Sequence, residues 1–180
     1  QDNGAFGADT GTSLENLLME LSHLDGKFRL RVGMLNPMLV AGRSHEMAKA
    51  WGDPRTYKFM HLPIQSGSQK ILDSMVRDHK LEEFWEVVNV FREHYPEMMI
   101  ITDVITGFPG ETDEDHQETI SLLEELLPDL VNVTRFSPRK GTPASRYKRI
   151  NGRIVKKRSR ELTVLRKELG ARSFKRFVGR

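Results

Sequence analysis

Four stretches gather polar side chains and turn residues where an apolar run ends: Asn36-Pro37, Gln65-Ser-Gly-Ser68, Gly107-Phe-Pro-Gly-Glu111 and Ser137-Pro-Arg-Lys-Gly-Thr142. Gln, Ser and Arg side chains can donate hydrogen bonds to an anion or carboxylate. Glycines let a ligand approach main-chain N–H groups. Gln65 to Ser68 opens a helix, which suits an anion at the helix N-terminus. Ser66 or Ser68 acting only as an N-cap accounts for the same residues. Gly107 to Gly110 places two glycines and a proline in four positions. A ligand on the backbone, with Glu111 or Thr112 bonded to it, is one reading of that loop. A strand-to-helix turn with a good cap is the other, because glycines at turns are common.

The elements that must position these loops follow from periodicity. Leu14, Leu17, Leu18, Leu21 and Leu24 have helical spacing behind Ser13, a plausible N-cap. Phe28 to Met34 alternates as a strand and closes at Asn36-Pro37. A short helix is expected over 44–51, a strand over 57–64, and helices over 68–76 and 81–95. Met98-Met-Ile-Ile-Thr-Asp-Val-Ile-Thr106 is nearly continuously apolar, as in a strand covered on both faces. A helix over 112–127 opens with a capping-box pattern at Thr112 and Asp115, with acids at the positive end of its dipole. A strand over 130–136 and a basic helix over 153–173 complete the chain. Regular strand–helix alternation means parallel strands covered by helices, with the chemistry in loops at the strands' C-terminal ends. The four polar loops would then share one rim.

Composition narrows the classes. The chain has 180 residues and no cysteine, so it holds neither a disulfide nor a cysteine-ligated metal of its own. No apolar run approaches the ~18 residues of a membrane span. No signal peptide opens the chain, and the absent initiating Met hints at a cut piece. A cytoplasmic location is the default expectation. His61 lies inside a strand, where a satisfied core histidine is the plainer reading. His23, His45, His79, His94 and His116 form no metal spacing, and the scattered Met residues read as core filler. No nucleophile triad, P-loop or dinucleotide fingerprint is present.

Charge is divided unevenly. Residues 1–145 carry 14 Lys and Arg against 23 Asp and Glu, and residues 146–180 carry 14 against Glu161 and Glu168 alone. The basic end, with Lys156, Lys157, Arg158 and Arg160, reads as an RNA-facing segment. A solvated helix whose cations pair with acids elsewhere on the body fits the charges equally.

Taken together, His61-Leu-Pro-Ile-Gln-Ser-Gly-Ser68, Thr102-Asp-Val-Ile-Thr-Gly-Phe-Pro-Gly-Glu-Thr112 and Phe136-Ser-Pro-Arg-Lys-Gly-Thr-Pro-Ala144 resemble the methylthiotransferases of the radical S-adenosylmethionine (SAM) superfamily. Gln1-Asp-Asn-Gly-Ala-Phe-Gly7 resembles the family's segment after the second barrel strand. The resemblance implies an α/β fold of about four βα units, the C-terminal portion of a partial TIM-type barrel. Residues 1–145 would be barrel, and residues 146–180 a basic helical connection toward an RNA-binding TRAM domain. It implies S-adenosylmethionine and two [4Fe-4S] clusters as cofactors. The cluster ligands, Cys-x3-Cys-x2-Cys for the reactive one, are absent here, so this chain alone is expected to be inactive. A reductant for the cluster is implied for the full-length enzyme. One S-adenosylmethionine would be cleaved reductively, a second would supply a methyl group, and sulfur would enter an unreactive C–H bond.

The resemblance also carries site residues. Gln65, Ser66 and Gly67 are implied at one strand end, Ile105, Gly107 and Phe108 at the next, and Phe136, Ser137 and Arg139 at the last, all toward S-adenosylmethionine. Asp103 stands where the superfamily pattern has a Gly, and Glu111 falls one place late. No catalytic residue is assigned. Arg31-Val-Gly-Met-Leu-Asn-Pro37 and Thr134-Arg-Phe-Ser-Pro138 are most like the archaeal and eukaryotic branch, which acts on N6-threonylcarbamoyladenosine beside the tRNA anticodon. Its isopentenyladenosine and ribosomal-protein aspartate relatives stay open. So do two other classes: a non-catalytic RNA-binding module, and an aldolase-like barrel, which would need a strand-end Lys where only the loop residue Lys140 is near.

Overall fold

A computed structural model describes residues 2–179. In chain order its helices and strands are α1 (Leu14–Ser22), α2 (Pro37–Val40), α3 (Ser44–Ala50), β1 (Phe59–His61), α4 (Gln69–Ser74), α5 (Leu81–His94), β2 (Met99–Thr106), α6 (Asp113–Leu126), β3 (Leu130–Arg135) and α7 (Gly152–Phe174). The chain divides into two compact units: Gln1–Pro63 with His79–Ile100, and Ile64–Asp78 with Ile101–Arg180.

The first unit is built from α1, α2, α3, β1 and α5. Its core is fully buried at Leu35, Val40, Met47, Trp51, Met60, Leu62, Phe84 and Phe91. The Ser13 hydroxyl caps α1 by accepting from Asn16 N. Trp51 stands edge-on to Phe91, with ring centroids 5.2 Å apart, and its indole N–H donates to the Tyr57 carbonyl at 2.9 Å. Buried Glu15 is matched by Arg43 at 2.9 Å.

The strand expected over 28–34 is reduced here to two isolated parallel bridges, Leu30 with Thr56 and Met34 with His61. On its other edge the Met34 carbonyl accepts from Asn3 N at 3.0 Å and from the Asn3 side-chain amide at 3.2 Å. A Cβ on Gly33 would lie 2.6 Å from that amide nitrogen, so this glycine admits the N-terminal segment. His61 is half-buried rather than a core histidine. The methionines divide: Met47, Met60 and Met98 are core, whereas Met19 and Met38 are exposed.

In the second unit β2 and β3 pair in parallel, Ile101 opposite Leu130 through Thr106 opposite Arg135. The Gln65 main chain extends this pairing, donating to Asp103 O and accepting from Ile105 N. β2 is not covered equally on both faces, contrary to expectation. Ile100, Thr102, Val104 and Thr106 are buried, while Met99, Ile101, Asp103 and Ile105 are only half-buried. α6 begins with the expected reciprocal cap: Asp115 N donates to Thr112 Oγ1 and Thr112 N to Asp115 Oδ2. α7 packs on α6 and β3, burying Leu162 and Leu169 completely. Residues 146–180 therefore fold within the same unit as β2 and β3.

Candidate functional site

The strand-end loops of the second unit divide into an inward-bonded half and a cavity. Gln65 to Ser68 belongs mostly to the first. Gly67 N donates to Thr119 Oγ1 at 2.9 Å, Ser68 N to Ser66 Oγ at 3.2 Å, and the Ser68 hydroxyl to Asp115 Oδ1 at 2.7 Å. Ser68 starts α4 but makes no side-chain cap bond. A Cβ on Gly67 would fall 2.5 Å from Thr119 Cα, so this glycine admits α6 rather than a ligand. Gln65 differs. Its φ is 70°, in the left-handed region that non-glycine residues rarely adopt. Its side-chain amide has no hydrogen-bond partner among the described residues.

Asp115 anchors this half. Burial pushes its carboxyl upward, but the Lys70 ammonium at 2.6 Å and hydrogen bonds from Thr112 N, the Ser68 hydroxyl and the Thr112 hydroxyl outweigh it. They hold the carboxyl at about 2.

Gly107 has φ +79°, and a Cβ there would meet the Val155 side chain of α7 at 2.7 Å. Its glycine is required by backbone conformation and by helix approach. Gly107 N donates to Glu111 Oε2 at 2.9 Å, and the same oxygen accepts from Arg158 Nη1 at 2.6 Å. Arg158 Nη2 also bonds Asp113 at 2.7 Å. The late placement of Glu111 in the motif thus has a structural role: it ties the β2–α6 loop to α7. Arg158, expected to face RNA, is only 4 % exposed and is spent on this pair. Lys156, Lys157 and Arg160 are exposed.

A cavity of about 610 Å³ opens at the C-terminal ends of β2 and β3. Ile105, Phe108, Phe136, Ser137 and Arg139, all expected at the site, line it; Gln65, Ser66, Gly67 and Gly107 do not. Phe108 is buried and meets the Phe136 ring edge-on, with centroids 4.9 Å apart. Tyr147 extends this wall at 6.5 Å from Phe108. Asp103, on the Ile105 face of β2, accepts from Asn132 Nδ2 at 2.7 Å, a pair in register across the two strands. Sequence reasoning missed Met75, Val76 and Arg77, which reach the cavity from the turn after α4. The only signal in the sequence was a cation just past a helix end.

The cavity's residues can seat a nucleoside-sized molecule against aromatic and aliphatic side chains, with a few polar groups for orientation. Among the described residues no three His, Asp or Glu are placed to hold a metal ion. No helix among them is long and apolar enough to cross a membrane.

Comparison with known proteins agrees with this geometry. Over its whole length the chain is 46% identical to a protein of Archaeoglobus fulgidus named probable threonylcarbamoyladenosine tRNA methylthiotransferase, of which it covers 43%. It is 41% identical over 92% of its length to the threonylcarbamoyladenosine tRNA methylthiotransferase of Xenopus laevis, covering 30% of that protein. The chain thus spans less than half the length of these curated relatives. Its fold resembles coproporphyrinogen III oxidase of Escherichia coli, described as a radical SAM enzyme. The TM-score is 0.65 at 18% identity, over 87% of this chain and 36% of that one. Residues 6–123 match the Radical SAM superfamily, and with the parallel strands and strand-end cavity in place, the chain belongs to that superfamily.

Proposed function

We propose that the chain is the part of a SAM-dependent methylthiotransferase that helps seat S-adenosylmethionine and a modified adenosine of tRNA, N6-threonylcarbamoyladenosine. The observation that carries this reading is the cavity at the ends of β2 and β3. Two of the three stretches that carry the family resemblance line it, in a chain whose whole length aligns with 43% of a relative named probable threonylcarbamoyladenosine tRNA methylthiotransferase.

The residues present fit the cofactor. Ile105, Phe108 and Phe136 offer an apolar wall for adenine, and the Ser137 hydroxyl is a hydrogen-bonding group for ribose. No Asp or Glu lines the cavity to repel the cofactor's carboxylate. S-adenosylmethionine, when bound, supplies the methyl group and the cleavable adenosyl fragment. The protein's share is to orient the purine, exclude water with the Phe108–Phe136–Tyr147 wall, and hold the β2–α6 loop still through Glu111 and Arg158. An iron–sulfur cluster is held by thiolates, and this chain has none, so its residues do not fit one. No lysine lines the cavity, which leaves a Schiff-base aldolase without its nucleophile.

The exposed cations Lys156, Lys157 and Arg160 on α7 suit tRNA phosphates, whose neutralisation supplies salt-dependent affinity. A base splayed from a loop would enter the cavity singly. Titration with S-adenosylmethionine tests the cofactor site: Phe136→Ala should weaken binding about tenfold, and unchanged affinity would remove the cavity from the site. The nucleoside composition of tRNA from cells with and without the intact gene tests the substrate.

A further inference from the structure

Three arginines, Arg77, Arg135 and Arg139, are among the residues lining the cavity, and no Asp or Glu lines it with them. None of the three has an ion-pair or side-chain hydrogen-bond partner among the described residues. The less exposed arginines of this unit are matched, Arg158 by Glu111 and Asp113 and Arg176 by Asp129, whereas these three share a recess that holds no acid. Three unmatched cations on one acid-free recess favour an anion there.

The backbone beside Arg77 is held at a cost. α4 ends with Val76 in the left-handed region at φ 56°. Val76 N donates to Asp73 O and Arg77 N to Leu72 O, the paired bonds of a helix stop that normally takes glycine at this position. A β-branched residue there is strained, and strain of this kind collects at functional sites. The turn places Arg77 on the cavity although a glycine would make it more easily.

We propose that Arg77, Arg135 and Arg139 form a carboxylate receptor that reads the free carboxylate on the N6 substituent of the substrate adenosine. This rests on the functional reading above. A threonine joined through its nitrogen to an N6-carbamoyl group keeps its carboxylate. An isopentenyl group on the same nitrogen has none, and would leave the guanidinium trio without a partner. S-adenosylmethionine also carries a carboxylate. The trio favours the substrate because all three arginines are exposed, at the open rim, whereas the wall fitted to the cofactor's adenine ends on buried Phe108. A nucleoside tethered to tRNA arrives from the rim.

The test is equilibrium binding to the protein of anticodon stem–loop RNAs carrying N6-threonylcarbamoyladenosine, its methyl ester, or N6-isopentenyladenosine, with S-adenosylmethionine titrated separately. Wild type should prefer the acid to its ester by about tenfold, the lower end of what a hydrogen bond to a charged group contributes. Arg77→Gln with Arg135→Gln should narrow that gap, leave S-adenosylmethionine affinity unchanged and preserve the circular dichroism spectrum. Equal binding of acid and ester, no binding of either, or a gap that the double substitution leaves intact would overturn the proposal. Loss of S-adenosylmethionine affinity in the double variant would assign these arginines to the cofactor and overturn it too. The functional reading fails separately, if cells lacking the gene keep methylthiolated threonylcarbamoyladenosine in their tRNA.

Discussion

Arg158 Nη1 stands 2.6 Å from Glu111 Oε2, and both side chains are at least 95 % buried. That one contact joins the most basic helix of the chain to the loop at the end of β2, because Glu111 also accepts from Gly107 N. A cation that composition assigns to solvent or RNA is here a structural tie.

Removing one partner of a buried pair leaves an uncompensated charge. Arg158→Met should destabilise the protein by about 3–5 kcal/mol. The double variant Arg158→Met with Glu111→Gln should recover most of it, since Gln still accepts from Gly107 N. Chemical denaturation midpoints report both. A double variant as unstable as the single would show that the charge pair is not the cause.

The exposed cations of α7 make the opposite prediction. Neutralising Lys156, Lys157 and Arg160 should leave stability unchanged and weaken tRNA binding, lowering the slope of log affinity against log salt by about 2–3. An unaltered slope would make the helix a purely structural element.

Asp115 gives a pH prediction. Its folded-state value of about 2 lies below the ordinary 3.8. Its stabilisation is therefore complete above about pH 4 and is lost as pH falls through about 2, amounting to roughly 2 kcal/mol. Asp115→Asn should flatten the acid limb of the stability–pH curve between about pH 4 and 2. A limb of undiminished steepness would place the acid sensitivity elsewhere.

Two backbone substitutions should move stability in opposite directions. Val76→Gly relieves a left-handed φ and should stabilise by about 1 kcal/mol. Gly107→Val meets Val155 at 2.7 Å in a conformation valine resists, and should destabilise by several kcal/mol. Lost S-adenosylmethionine binding in Gly107→Val therefore reports the loop's fold, not contact with the cofactor. Thermal melts of both variants check the signs.

Much of the fold was legible because periodicity and caps agree. The leucines behind Ser13, the capped start of α6 at Thr112 and Asp115, the apolar run of β2 and the length of α7 all predict elements that the structure contains. The strand over 28–34 is reduced to two isolated bridges, and its Met34 carbonyl bonds Asn3, thirty-one residues away, a contact that periodicity does not carry. The glycines' roles were not legible either. Gly67 and Gly107 look like ligand approaches in sequence, but their Cβ space is filled by α6 and α7. Five of nine expected cofactor residues line the cavity. They lie on or just after β2 and β3, whose register fixes their side. Arg77 was invisible because a turn, not a pattern, brings it there.

The most direct test of the central reading is nucleoside mass spectrometry of tRNA from cells with and without the intact gene. Without the gene, 2-methylthio-N6-threonylcarbamoyladenosine should disappear and its unthiolated precursor accumulate. Unchanged levels of both, or loss of the isopentenyl counterpart instead, would contradict that reading.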